Sequence, residues 1–146
     1  MYFIGIDPDS KKSGYAVWDS EKRELIEFGV LAFFELFATI NTYKLGMHAK
    51  RYDVLVIIEA GWLNKKSNWH NNKQGVHVAS RIGKNVGANH QTGALIVNMC
   101  KHLGVKYELV KPSTSKIQAK MFTSITGIKR TNQDIRDAIM LVWGKY

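Results

Sequence analysis

Two apolar runs in this chain end on an acid. In "MYFIGID" the residues Phe3, Ile4 and Ile6 lead to Asp7, and in "DVLVIIEAG" a nearly unbroken apolar run leads to Glu59. Near the C-terminus, "DIRDA" holds Asp134 and Asp137 three apart, a spacing that puts both on one side of a helix. Carboxylates gathered in one crevice repel one another and push each other's pKa upward, so such a cluster persists only around something cationic. Oxygen ligands without cysteine or paired histidine suit Mg²⁺ or Mn²⁺ rather than zinc. Two such ions about 3.5–4 Å apart can cleave a phosphodiester in line, one activating water and the other stabilising the leaving oxygen. Asp7, Glu59, Asp134 and Asp137 are therefore candidate metal ligands and candidate catalytic residues.

Each acid also has a plainer explanation. Asp7 precedes Pro8 and could simply form a turn. Asp134 could favour the positive end of a helix, a surface effect of about 0.3–1 kcal/mol. Glu59 is harder to dismiss, because a glutamate at the end of a buried strand is rare without a partner.

The elements that must position these acids can be read from periodicity. Strands are predicted at 2–7, 15–19 and 25–33, and a helix from Phe34 to about Lys50 with Phe34, Phe37, Ala38, Ile40 and Leu45 as its apolar members. The run 53–61 has the pattern of a strand buried on both faces. Residues 62–77 read as a polar loop and 79–103 as the longest helix, with Ile82, Val86, Leu95, Ile96, Met99 and Leu103 apolar. Gly83, Gly87 and Gly93 weaken that helix by up to about 1 kcal/mol each relative to alanine, which suggests close packing or ligand approach. A strand at 105–110, a short helix opening at Pro112 with Ser/Thr caps, and a last helix at 131–145 capped by Thr131 or Asn132 complete the chain. Three strands, helix, strand, helix, strand and helices make an α/β layered fold in one domain, 1–146. Asp7 and Glu59 would then close central strands on the carboxyl side, where open α/β sheets form their ligand crevices.

Composition narrows the setting. Lys and Arg number 21 against 12 Asp and Glu, a net charge of +9, which suggests a polyanionic partner such as nucleic acid. Cys100 is the only cysteine, so there is no disulfide framework, and on an apolar helix face it reads as core. Neither a secretory signal nor a stretch of about 20 apolar residues is present, which points to a cytoplasmic protein with no membrane association. In "WLNKKSNWHNNKQ", Trp62 and Trp69 alternate with Lys65, Lys66 and Lys73, a mixture suited to stacking on bases beside phosphate contacts. Lys120, Lys129 and Arg130 are further candidate DNA contacts. His70 and His77 lack zinc-site spacing, and His90 reads as a polar group at a helix interface.

The blocks "GIDPDSKKSGYAVWD", "VLVIIEAG", "VKPSTSKIQ" and "DIRDAIML" resemble, in order and spacing, those of RuvC-type Holliday junction resolvases of the ribonuclease H-like superfamily. The resemblance implies a mixed five-stranded sheet, its first three strands antiparallel, flanked by helices. It implies a homodimer that resolves four-way and related branched DNA by paired nicks, using two Mg²⁺ or Mn²⁺ ions per active site. Asp7, Glu59, Asp134 and Asp137 match the family's four acids, Lys116 a basic residue near the scissile phosphate, and Trp62 an aromatic residue that probes the junction centre. This chain departs from the pattern at Asp9, where glycine is usual and where metal affinity could be adjusted. It has only 18 residues from Lys116 to Asp134, which suggests a compact, phage-encoded member acting in the host cytoplasm. Partnership with a branch-migration motor is not carried over. Two other readings remain: a ribonuclease H-like or YqgF-type enzyme acting on RNA or RNA–DNA hybrid, and an ATP-binding fragment like the actins and sugar kinases, which need a second lobe.

Overall fold

The computed structural model describes residues 1–46, 53–64 and 76–146, the side chains at 76, 77 and 79 excepted. Five strands form one mixed sheet: β1 (Tyr2–Asp7), β2 (Ser13–Asp19), β3 (Glu24–Leu31), β4 (Val54–Glu59) and β5 (Lys106–Val110). The spatial order is β3-β2-β1-β4-β5. The first three pair antiparallel, as the resemblance implies, while β4 runs parallel to both β1 and β5. Helices α1 (Phe33–Leu45) and α2 (Val76–Leu103) connect strands, and α3 (Ala119–Thr126) and α4 (Gln133–Val142) follow β5.

The central strands β1, β2 and β4 are buried on both faces, and the two-residue period of the strands divides the core. Ile4, Ile6, Val54, Val56 and Ile58 pack with Leu36, Ile40 and Tyr43 of α1 and with Ile96, Met99, Cys100 and Leu103 of α2. Phe3, Ala16, Trp18 and Ile57 face the other way, onto Phe122 of α3 and Ala138, Ile139 and Val142 of α4. Side chains alternate along a strand, so Asp7 is in phase with Phe3, and Glu59 with Ile57. Both acids thus belong to the α4 face. Ile6 pairs with Ile58 across the parallel β1–β4 ladder, so Asp7 and Glu59 leave neighbouring strands side by side.

Two glycines let α4 lie on that face. A Cβ on Gly5 would stand 2.3 Å from the Ala138 carbonyl oxygen, and one on Gly14 would stand 2.2 Å from that of Asp134. Any larger residue would hold the helix off the sheet. The end of α4 is also tied down: Trp18 Nε1 donates to the Lys145 carbonyl at 2.7 Å, and the Trp18 and Trp143 rings pack 5.2 Å apart.

Several boundaries differ from expectation. Phe33 opens α1 rather than ending β3, and the helix ends at Gly46. Its buried members are Leu36, Ile40 and Tyr43, whereas Phe34 and Leu45 are exposed; the apolar stripe is rotated from the predicted one. Residues 61–63 leave β4 as a single 3-10 turn, and α2 begins at Val76. The helix expected from Pro112 begins only at Ala119, with Gln118 at its cap. Ser113 instead exchanges hydrogen bonds with the Ser115 backbone, a local closure that competes with a helical turn. The last helix is shorter than 131–145, and Asn132 is its cap, accepting from the Ile135 N–H at 2.9 Å. No described helix is long and apolar enough to cross a membrane.

Candidate active site

The acids meet at the carboxyl edge of β1 and β4. Lys116, on the segment between β5 and α3, reaches back over them. Its Nζ donates to Glu59 Oε1 at 2.8 Å and to Asp137 Oδ2 at 2.5 Å. Both carboxylates are largely removed from water, with side-chain exposures of 12% and 6%, so each needs a partner. Burial alone would push the Lys116 ammonium down, but hydrogen bonds and attraction from Asp137 and Glu59 hold its pKa above the ordinary lysine value. The ammonium is therefore charged throughout the physiological range.

Asp7 behaves differently. Burial first, then the negative charges of Glu59, Asp137 and Asp134, push its carboxyl up to about 8, with Lys116 opposing them. Asp134 is raised as well, by burial and by the charges of Asp9 and Asp137, against the pull of Lys116. Asp7 thus feels the charges of the other three acids, with the Lys116 ammonium opposing them.

A cleft of about 160 Å³ opens beside Asp7 and Glu59, walled by Trp62 and by Val86, Asn89 and His90 of α2. Trp62 packs edge-on to His90, ring centroids 6.1 Å apart, and lies over Gly93, where a Cβ would stand 2.2 Å from the indole. Gly93 therefore serves close packing, while a Cβ on Gly83 or Gly87 would have no neighbour within 4 Å. His90 also edges Gly61, where a Cβ would stand 3.1 Å from its Nε2.

Asp9, the residue out of pattern, shapes the turn after β1. Its Oδ1 accepts from the Lys11 N–H at 2.8 Å, its own N–H donates to Ser13 Oγ at 3.1 Å, and Ser10 N–H donates to Asn89 Oδ1 at 3.0 Å. The turn is thereby closed on itself and pinned to α2. Two residues that sequence reading passes over also bear on the acids. Gln133 Nε2 donates to Asp137 Oδ1 at 2.7 Å, and Arg136 Nη2 donates to Gln133 Oε1 at 2.9 Å. Their i,i+4 and i,i+3 spacing in "QDIRD" is the signal that could have found them.

Of the other candidate DNA contacts, Lys120, Lys129 and Arg130 are exposed on and after α3. Lys65, Lys66, Trp69 and Lys73 lie outside the described residues, as do His70 and the His77 side chain. Cys100 is fully buried, and burial pushes its thiol up to about 11.

The donor set fits hard divalent ions: it is all carboxylate, mutually repelling and short of positive charge. As the side chains stand, no three His, Cys, Asp or Glu among the described residues form a metal-holding group, and the Lys116 ammonium is bonded to Glu59 and Asp137.

No protein-family model matches the chain. No curated protein sequence matches it either. Among solved structures it is similar to Thermus thermophilus RuvC in complex with a Holliday junction substrate, at TM-score 0.56 and 17% identity, over 97% of this chain and 89% of that one. A second Thermus thermophilus RuvC structure is 18% identical and matches 97% of this chain and 90% of that one at TM-score 0.49. The chain has a RuvC-type, ribonuclease H-like fold.

Proposed function

We propose that this RuvC-fold chain is a metal-dependent endodeoxyribonuclease that resolves four-way and related branched DNA, two copies placing paired nicks. The observation that carries the reading is the convergence of Asp7, Glu59, Asp134 and Asp137 on one face, with Lys116 among them. The similar structure of RuvC was seen with a Holliday junction, which favours branched DNA over other polyanions. The net charge of +9 is in keeping with such a partner.

Asp7, Glu59, Asp134 and Asp137 would hold two Mg²⁺ or Mn²⁺ ions, which when bound supply an activated water and charge stabilisation at the leaving oxygen. The chain's own groups do the rest. Lys116 keeps its charge and can answer a phosphate once the acids have other partners. Trp62 stands at the cleft wall beside His90 and Gly93, where an unpaired base could stack on its ring. Pro8 and the pinned turn behind Asp7 fix the entrance to the cleft.

The test is incubation with labelled four-way junction, linear duplex and RNA–DNA hybrid, with and without Mg²⁺. The expected result is Mg²⁺-dependent, symmetric nicking of the junction, abolished by Asp7→Asn with junction binding retained or tightened. Wild-type cleavage by that variant overturns the reading. Preference for the hybrid would move it to a ribonuclease, and ATP turnover to the kinase-like class.

A further inference from the structure

Asp137 has two carboxylate oxygens with different partners. Oδ2 accepts from Lys116, at the centre of the acid cluster, while Oδ1 accepts from the side-chain amide of Gln133. An amide can be turned either way, and only one way serves Asp137. Nε2 must face the carboxylate, because Oε1 there would set oxygen against oxygen. What selects that orientation is Arg136. A guanidinium can only donate, so its Nη2 at 2.9 Å from Gln133 Oε1 fixes the oxygen on its own side and leaves Nε2 for Asp137. Arg136 is itself held by Nη1, which donates to the Thr131 carbonyl at 2.5 Å, just ahead of the helix. Its Nε is buried without a partner among the described residues, so the guanidinium is placed by its two ends.

We infer that Gln133 and Arg136 are positioning residues: Arg136 sets the Gln133 amide, and the amide holds Asp137 Oδ1 so that Oδ2 alone faces the cluster. This deepens the nuclease reading and rests on it. The relay runs Thr131, Arg136, Gln133, Asp137, Lys116, Glu59, all joined by hydrogen bonds of 2.5–2.9 Å. Four of these six residues lie within the first turns of α4 or just before it, so the relay is built into one short element. A carboxylate held at one oxygen offers a cation one oxygen in a fixed direction. Groups that orient a ligand in this way typically matter by about 10–100-fold in metal affinity or activity.

The experiment measures Mn²⁺ binding by electron paramagnetic resonance, without DNA, for the wild type, Asp7→Asn, Gln133→Leu, Arg136→Met and the double variant. Thermal unfolding in chelator serves as the control for folding. Gln133→Leu is expected to weaken Mn²⁺ binding by about 10–100-fold while keeping a cooperative unfolding transition. Arg136→Met should weaken it several-fold, because the freed amide spends part of its time turned the wrong way. The double variant should be no worse than Gln133→Leu, since Arg136 acts only through Gln133. Wild-type affinity in Gln133→Leu, or additive losses in the double variant, overturns the inference while Asp7-dependent Mn²⁺ binding leaves the nuclease reading standing. If the wild type binds no Mn²⁺ that Asp7→Asn removes, both fall together. Should Gln133→Leu fail to fold, Arg136→Met carries the test, and unchanged affinity there overturns the inference.

Discussion

Asp7 illustrates how one side chain can work against the fold that carries it. Its carboxyl sits among three other acids and away from water, and is pushed up to about 8 from an ordinary 3.8. The native state therefore binds the Asp7 proton more tightly than the unfolded chain does. Stability from this group is fully present below about pH 4 and is lost as pH rises towards 8. Asn cannot ionise and escapes the loss. In chelator, Asp7→Asn is expected to be more stable than the wild type by at least about 1 kcal/mol at pH 8, a few degrees in Tm, with the gap shrinking towards pH 5. A gap that stays constant or widens on acidification would show that Asp7 is not resisting ionisation. Mg²⁺ should raise the wild-type Tm at pH 8 and leave that of the variant nearly unchanged.

At the level of elements, the site is made by how closely α4 can approach β1 and β2. Gly5→Ala and Gly14→Ala put a methyl within 2.3 Å and 2.2 Å of helix carbonyl oxygens, so the helix must move and take Asp134 and Asp137 with it. Each should lower stability by about 1–3 kcal/mol or more and suppress cleavage, as read by thermal unfolding and junction nicking. Gly87→Ala, which meets nothing within 4 Å, should instead stabilise α2 by about 0.5–1 kcal/mol and leave nicking intact. These glycines also mark where sequence reading stops. Strands are legible because apolar residues alternate or run unbroken, and the acids because they stand where those runs end. A glycine inside a strand reads only as weakness, and nothing local says that a helix far along the chain will rest on it. The phase of α1 escapes sequence reading because Phe34 is apolar yet exposed, with Leu36 and Tyr43 taking the buried stripe. The start of α3 escapes it because Ser113 closes a turn in place of a cap, which frees Lys116 to reach the acids. Gln133 and Arg136 are hidden because their worth lies in the direction of hydrogen bonds, which residue type alone does not give.

For the molecule as a whole, the sheet separates two tasks. One face carries α1 and the core half of α2, the other carries α4 and the acids, and the cleft opens at the edge where the two meet. Trp62 belongs to that edge, packed on one side against His90 and Gly93. Trp62→Ala is expected to reduce nicking of a four-way junction by about 10-fold, the order of one lost stacking contact of about 1–3 kcal/mol, with linear duplex binding little changed. Equal losses on junction and duplex, measured side by side at one salt concentration, would remove Trp62 from any role in recognising the branch.

The order in which the chain is made gives α4 one more consequence. Asp7 and Glu59 emerge from the ribosome long before Asp134 and Asp137 of residues 133–142. Until that segment is laid across β1 and β2, Asp7 and Glu59 stand without Asp134 and Asp137, with Lys116 already made. Synthesis thus completes the acid cluster last, after the residues of all five strands have been made.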